Sequence, residues 1–210
     1  MQAQPKAMPV RPVTCLPPKS MPLQLFTIGW KTCGARWQYN FGKLIDKGIN
    51  CVSERAAFTC KAMRGGTLTW FDARNFHNPD HGPDLSSHCG EHFRIMVELT
   101  GSKEFPVFLL QLREWMADIE IANSPSMQAK RNRGAFVCTS GTHRSVACAR
   151  IAYECLNRGG FNAEQPRHLS IGTWQQRNRC STCNQCDLTN PAKIQFFDWC
   201  YWRLMSIEYD

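Results

Sequence analysis

The stretch "AFVCTSGTHRSVACARIAYECLNR", Ala135 to Arg158, decides how the chain folds. Ala135, Phe136 and Val137 read as the end of a buried strand. "CTSGTHRS" (Cys138 to Ser145) is small and polar, the composition of a tight connecting loop. Beyond it, Val146, Ile151, Cys155 and Leu156 recur at helical spacing and face inward, while Arg150, Glu154 and Arg158 at i, i+4 and i+8 make an exposed charged stripe. Strand, loop and helix in this order form half of a βαβ unit.

The same alternation runs outward in both directions. "LQLFTIGW" (Leu23 to Trp30) and "TLTWFDAR" (Thr67 to Arg74) read as strands, and "NAEQPRHLSI" supplies a fourth. "FGKLIDKGI" reads as a short helix and "EHFRIMVELTG" as a longer one. In "EFPVFLLQLREWMADIEIA", Phe105, Phe108, Leu109, Leu112, Trp115, Met116 and Ile119 recur at three and four residues and share one face. "AKIQFFDWCYWRLMSIE" reads as an aromatic-rich helix docked on the body. The expected fold is α/β: a mainly parallel sheet flanked by helices, with a proline-rich N-terminal arm and a cysteine-containing C-terminal extension. The expected boundaries are 1–22 for the arm, 23–170 for the domain and 171–210 for the extension.

In such sheets ligands bind at the carboxyl ends of the strands. A loop running from a strand into a helix aims backbone N–H groups at one point, and the helix N-terminus adds partial positive charge there. Thr139, Ser140 and Gly141 are small enough for an anion to reach the backbone. Thr139 and Ser145 offer hydroxyls, Thr142 completes the loop, His143 can donate or shuttle a proton, and Arg144 can grip two phosphate oxygens. The loop therefore reads as an anion cradle. Charge reversal at Arg144 is expected to abolish ligand binding and to spare the fold. A second chemistry fits the same residues. Cys138-x5-Arg144-Ser145 is similar to the signature of cysteine-dependent phosphatases, with Cys138 as nucleophile and Arg144 as phosphoryl clamp. That reaction needs a general acid, for which Asp72, Asp80 and Asp84 are candidates by location. An enzyme is the alternative reading; a binding module leads.

The 210 residues carry a net charge of +8. Lys130, Arg131, Arg133, Arg144, Arg150, Arg158, Arg167, Arg177 and Arg179 stand against only Glu154 and Glu164 between Pro125 and Cys180. That bias reads as an electrostatic footprint for RNA or for a phosphorylated small molecule. No apolar run is long enough to span a membrane, and the leader lacks the apolar core of a secretory signal, although its basic, acid-free composition also suits organellar targeting. Cys148, Cys155 and Cys200, among 12 cysteines, fall in apolar runs. Buried free thiols imply a reducing, intracellular compartment, with the cytoplasm expected.

Over residues 23–168 the chain resembles the C-terminal domain of the RapZ family of RNase adapter proteins. The residues that carry the resemblance are Gly29-Trp30-Lys31 with Gly34, then "FDARNFHNP" with Asp72, Arg74, Asn78 and Pro79, then Leu99 to Gly101, "VCTSGTHRSV" and "RHLS". The family's loop has Gly and Gln where this chain has Ser140 and Thr142, and a stand-alone domain without the family's N-terminal nucleotide-binding domain is expected. The resemblance implies a phosphosugar-sized pocket and an RNA-binding role, with Thr139, Gly141, His143 and Arg144 at the pocket and Lys31, Arg74 and Asn78 on neighbouring loops. It also makes assembly into a homo-oligomer or larger complex an expectation.

The extension holds Cys180, Cys183 and Cys186 as C-x2-C-x2-C, a spacing that can chelate Zn2+ or part of an iron–sulfur cluster. His168 and Cys200 are the nearest sources of a fourth ligand, so the expected metal set is Cys180, Cys183, Cys186 and His168. Zinc is the candidate cofactor; an unmetallated surface loop is the alternative. His77, His81, His88 and His92 cluster in one loop region and can serve a phosphate site or a metal.

Overall fold

The computed structural model describes residues 22–32, 67–79, 85–122, 131–174 and 183–207. The proline-rich arm, the short helix expected at "FGKLIDKGI", and Asp80, His81, Asp84, Lys130, Arg177, Arg179 and Cys180 lie outside the described residues.

Four strands, β1 (Gln24–Gly29), β2 (Thr67–Asp72), β3 (Asn132–Cys138) and β4 (Arg167–His168), form one sheet in the order β2-β3-β1-β4. All pairings are parallel. Central strands of a parallel sheet are covered on both faces, so they read as apolar runs rather than alternations. β3 is buried along its whole length and β1 from its second residue, whereas edge strand β2 begins exposed and edge strand β4 is only two residues long. The register sets Gly29 opposite Cys138 and Asp72 opposite Val137, so β1, β2 and β3 end level with one another.

The helices are α1 (Phe93–Thr100), α2 (Glu104–Ala122), α3 (Arg144–Arg158) and α4 (Pro191–Met205). The connections β2→β3 and β3→β4 both step the same way across the sheet. Right-handed crossovers then put α2 and α3 on one face. α2 packs on β2, α3 on β1 and β3, and α4 closes the layer over both helices. All seven apolar residues expected on the inner face of α2 are buried, and Val146, Ile151, Cys155 and Leu156 of α3 are fully enclosed. Phe71 and Phe136 are register partners on β2 and β3; their rings stack at 4.6 Å, and Trp115 of α2 meets Phe71 edge-on at 5.5 Å.

The expected charged stripe on α3 is not exposed at its start. Arg150 is buried, with Nη2 donating to Glu91 and Nη1 to Gln165 Oε1 at 2.7 Å. Arg158 bridges Glu154 on its own helix and Asp198 on α4 at 2.6 and 2.8 Å. Opposed charges from two other segments bury the start of this stripe and partly cover its end.

α4 begins with Asn190, whose Oδ1 accepts the Ala192 N–H at 2.9 Å, and with Pro191 where a missing N–H does no harm. Asn190→Ala is expected to lower stability by about 1 kcal/mol. The check is a shifted urea midpoint at unchanged slope.

Candidate phosphate-ligand site

The sheet order creates a crevice before any side chain is considered. The chain leaves β1 toward β2 on one side, and leaves β3 toward β4 on the other. From these adjacent strands the two connections run in opposite directions across the sheet, which marks a topological switch point, where open α/β sheets bind ligands. The cradle loop, Thr139 to His143, lies there, and the Lys31 N–H donates to Thr139 O at 2.8 Å, joining the two exits.

A close backbone approach and a set of hydrogen bonds seat the loop. Gly141 has φ of 75°, in the left-handed region where side chains are strained, and a Cβ there would stand 2.5 Å from Gly29 N and 2.7 Å from Ser170 Oγ. Ser170 Oγ accepts the Gly29 N–H at 2.7 Å, and Trp174 Nε1 donates to Gly141 O at 3.1 Å. At the floor, the Cys138 thiol donates to Ser145 Oγ at 3.1 Å and accepts the Gly141 N–H at 3.2 Å. Cys138 is 1% exposed and Ser145 is fully buried.

Arg144 stands at the site in a different role from the one its position suggests. Nη1 donates to the carbonyls of Arg74 and Phe76 at 2.7 and 2.9 Å, and Nη2 to Thr139 Oγ1 at 3.0 Å. It ties the β2 exit to the cradle. Carbonyl acceptors contributed by a distant segment are not encoded around Arg144 itself, which is why the residue reads as a ligand clamp from sequence. Arg74 in turn is gripped by Asp72 through Nε at 2.8 Å and Nη2 at 2.6 Å, and its guanidinium lies 5.8 Å from the centre of the Trp30 ring. His143 donates from Nε2 to His88 O at 2.7 Å, which places its proton on that nitrogen. Facing outward at the mouth are Ser140 and Lys31, both exposed, with Thr139, Arg74 and Asn78 half-buried. Among the described residues the main-chain amides of Ser140, Thr142 and Arg144 have no acceptor. They sit at or beside the N-terminus of a 15-residue helix.

A cavity of about 740 Å3 opens alongside. Trp70, Arg74, Asn75, Phe76, Lys103 and Gln111 are among its walls, so it shares the β2 exit with the cradle. Sequence reasoning did not find it; the signal was the polar pair Lys103 and Gln111 near the first turns of α2, which carries no meaning until α2 is packed on β2.

A family model for the RapZ C-terminal domain matches residues 58–171. The chain belongs to this family. Two nucleotide-binding proteins of Clostridium botulinum, from strains Eklund 17B / Type B and Alaska E43 / Type E3, are each 30% identical to it over 102 residues. The aligned part is 49% of this chain and 34% of each relative, so the chain spans about a third of the length of the curated relatives it matches. The RapZ C-terminal match contains β2, β3, β4 and the cradle. It begins after β1, whose Gly-Trp-Lys exit belongs to the resemblance read from the sequence and which lies at the centre of the sheet.

The cysteines of the extension meet other partners than those expected. Among the described residues, ligand atoms of His88, His92 and Cys183 lie within 4.8 Å of one another, and Cys186 Sγ lies 3.3 Å from His88 Nδ1. His168 instead turns Nδ1 to Thr27 Oγ1 at 2.9 Å and packs its ring on Trp174. Cys200 is fully buried in the core under α4. Burial, then the neighbouring His88, Lys193 and Arg94, pushes the His92 imidazole down to about 4.

No helix among the described residues is long and apolar enough to cross a membrane.

Proposed function

We propose that the chain is a binding module for a small phosphate-bearing ligand of nucleotide or phosphosugar size, held at the mouth between the β1 and β3 exits. The phosphate meets the amides of the cradle and the first turn of α3, with Ser140 and Lys31 at the rim. The body of the ligand lies along the Arg74 wall. The observation that carries this reading is the placement of amides without acceptors and a helix N-terminus at the switch point of the sheet. The neighbouring cavity falls in the size range of small-molecule pockets, about 300–1,000 Å3. The name of the Clostridium relatives, nucleotide-binding protein, agrees with a ligand of this class.

Burial and pairing favour a small ligand over an extended RNA. Arg133 is buried and donates to Gln24, Arg150 is buried against Glu91, and Arg158 is shared between Glu154 and Asp198. Arg131 stands at the amino end of β3, opposite the cradle. Among the described residues, Arg131, Arg133, Arg150 and Arg158 thus form no continuous track beside the site. A phosphatase reading asks Cys138 to attack phosphorus, yet its sulfur is enclosed beneath the loop and engaged by Gly141 and Ser145.

Calorimetric titration with adenosine monophosphate, a hexose 6-phosphate and a mixed-sequence single-stranded RNA tests this at two salt concentrations. Binding of one of the two small phosphates with a shallow salt response is expected. Ser140→Glu, which sets a carboxylate at the rim of an exposed position, is expected to abolish it at an unchanged melting temperature. Equal affinity in that variant ends the proposal. RNA binding alone, with log affinity falling by about 0.7 per log salt for each phosphate contacted, replaces it with a backbone-tracking one.

A further inference from the structure

Besides α4, the C-terminal extension meets the domain through its cysteine turn. The turn from Cys183 to Cys186 is closed by Cys186 N–H donating to Cys183 O at 2.8 Å, and Phe93 N–H donates to Gln185 O at 2.8 Å. This pins the cysteine turn against the segment that precedes α1, where His88 and His92 present their rings with centroids 4.3 Å apart. Two sulfurs from one turn and two imidazoles from another form a donor set of the Cys2His2 type. Around a tetrahedral zinc with bonds of roughly 2.0–2.3 Å, ligand atoms stand about 3.3–3.8 Å apart. Donor atoms of His88, His92 and Cys183 lie within 4.8 Å of one another, and Cys186 Sγ lies 3.3 Å from His88 Nδ1, so a bound ion would draw the Cys186 side chain in toward the other three.

A second, independent feature points to a ligand at this place. His92 is 6% exposed, and its Nδ1 is buried with no hydrogen-bond partner. Buried polar atoms are almost always satisfied, so a buried imidazole nitrogen with no hydrogen-bond partner, on a side chain grouped with a thiol and a second imidazole, favours a ligand at this place. Lys193, fully buried on α4, donates to Glu91 O at 2.7 Å and stands near enough to the Cys186 and Cys89 sulfurs to feel them electrostatically.

We propose that His88, His92, Cys183 and Cys186 form a structural zinc site that staples the C-terminal extension to the domain. The set replaces Cys180 and His168 of the sequence-based expectation with two histidines from the other side of the fold. The site also abuts the cradle, since His88 O accepts from His143 and Gly90 N–H donates to Thr142 O at 2.9 Å. Metal loading therefore braces the wall behind the ligand loop. Four closed protein ligands leave no open position, so the ion's role is structural.

Metal analysis of the full chain purified from zinc-supplemented cells is expected to find about one zinc per chain. Exchange with Co2+ is expected to give the strong visible bands and sulfur-to-metal charge transfer of a tetrahedral thiolate site. Cys183→Ser, Cys186→Ser and His92→Ala are expected to lose the metal, whereas Cys180→Ser and His168→Ala are expected to keep it. Wild-type protein without zinc overturns the proposal, as does zinc retained in Cys183→Ser or lost in Cys180→Ser or His168→Ala. Should the ligand variants fail to fold, wild-type zinc content and the cobalt spectrum decide between the two outcomes.

Discussion

Gly90→Ala is expected to be the most damaging small substitution in the described part of the chain. A Cβ at this position would stand 2.1 Å from His143 O, 2.5 Å from Ala147 N and 2.8 Å from Val146 Cβ. Two of these are backbone atoms at the start of α3, which cannot swing aside as a side chain does. Relief requires the histidine-bearing segment to withdraw from the cradle. Withdrawal breaks the Gly90–Thr142 and His143–His88 hydrogen bonds together. Overpacking against backbone, added to those losses, puts the effect at about 3 kcal/mol or more. Urea unfolding followed by circular dichroism measures it. A midpoint equal to that of the wild type would mean that the two segments do not approach so closely.

Arg144→Met carries the second large effect, and it reaches both the fold and the site. The variant keeps the volume of the stem and removes three donors, leaving the carbonyls of Arg74 and Phe76 and the Thr139 hydroxyl without them. Each carbonyl so stranded costs about 1–3 kcal/mol, tempered because the side chain is half-buried and water can reach part of the gap, so a loss of about 2–4 kcal/mol is expected. The β2 exit should loosen from the cradle, and ligand affinity should fall with it. The sequence-based expectation that charge reversal at Arg144 spares the fold is thereby revised: Arg144→Glu would also set a carboxylate against two carbonyl oxygens. The measurement is paired, thermal unfolding beside ligand titration, with Ser140→Glu as the comparison that is expected to lose affinity alone. Unchanged stability of Arg144→Met would return the arginine to the role of a free clamp.

Local periodicity explains what was legible. The inner face of α2 is fixed by spacings of three and four, and the bounds of α3 by the polar loop before it and Gly159 after it; both are properties of short windows. The cradle was legible for the same reason, since strand, small residues and helix adjoin in the chain. The illegible features all join distant segments. Arg150 reads as solvent-facing until Glu91 arrives beside it. The partners of Cys183 and Cys186 precede them by the whole of α1, α2, β3 and α3, while the nearer His168 is engaged by Thr27. The cysteine spacing marks the thiols as neighbours, but what faces them depends on which turn the fold sets opposite.

The position of β1 has a bearing on where this unit begins. The family match starts at residue 58, yet β1 fills the gap between β3 and β4. A chain started at that boundary would bare the full length of β3 along one flank, strand β4 without a neighbour, and take away the Gly29 backbone on which Gly141 rests. An uncovered row of amides and carbonyls on a buried apolar strand is a template for self-association. The recognisable portion and the autonomous portion of this molecule are therefore not the same length, and any dissection of the protein should keep the residues from Leu23 onward.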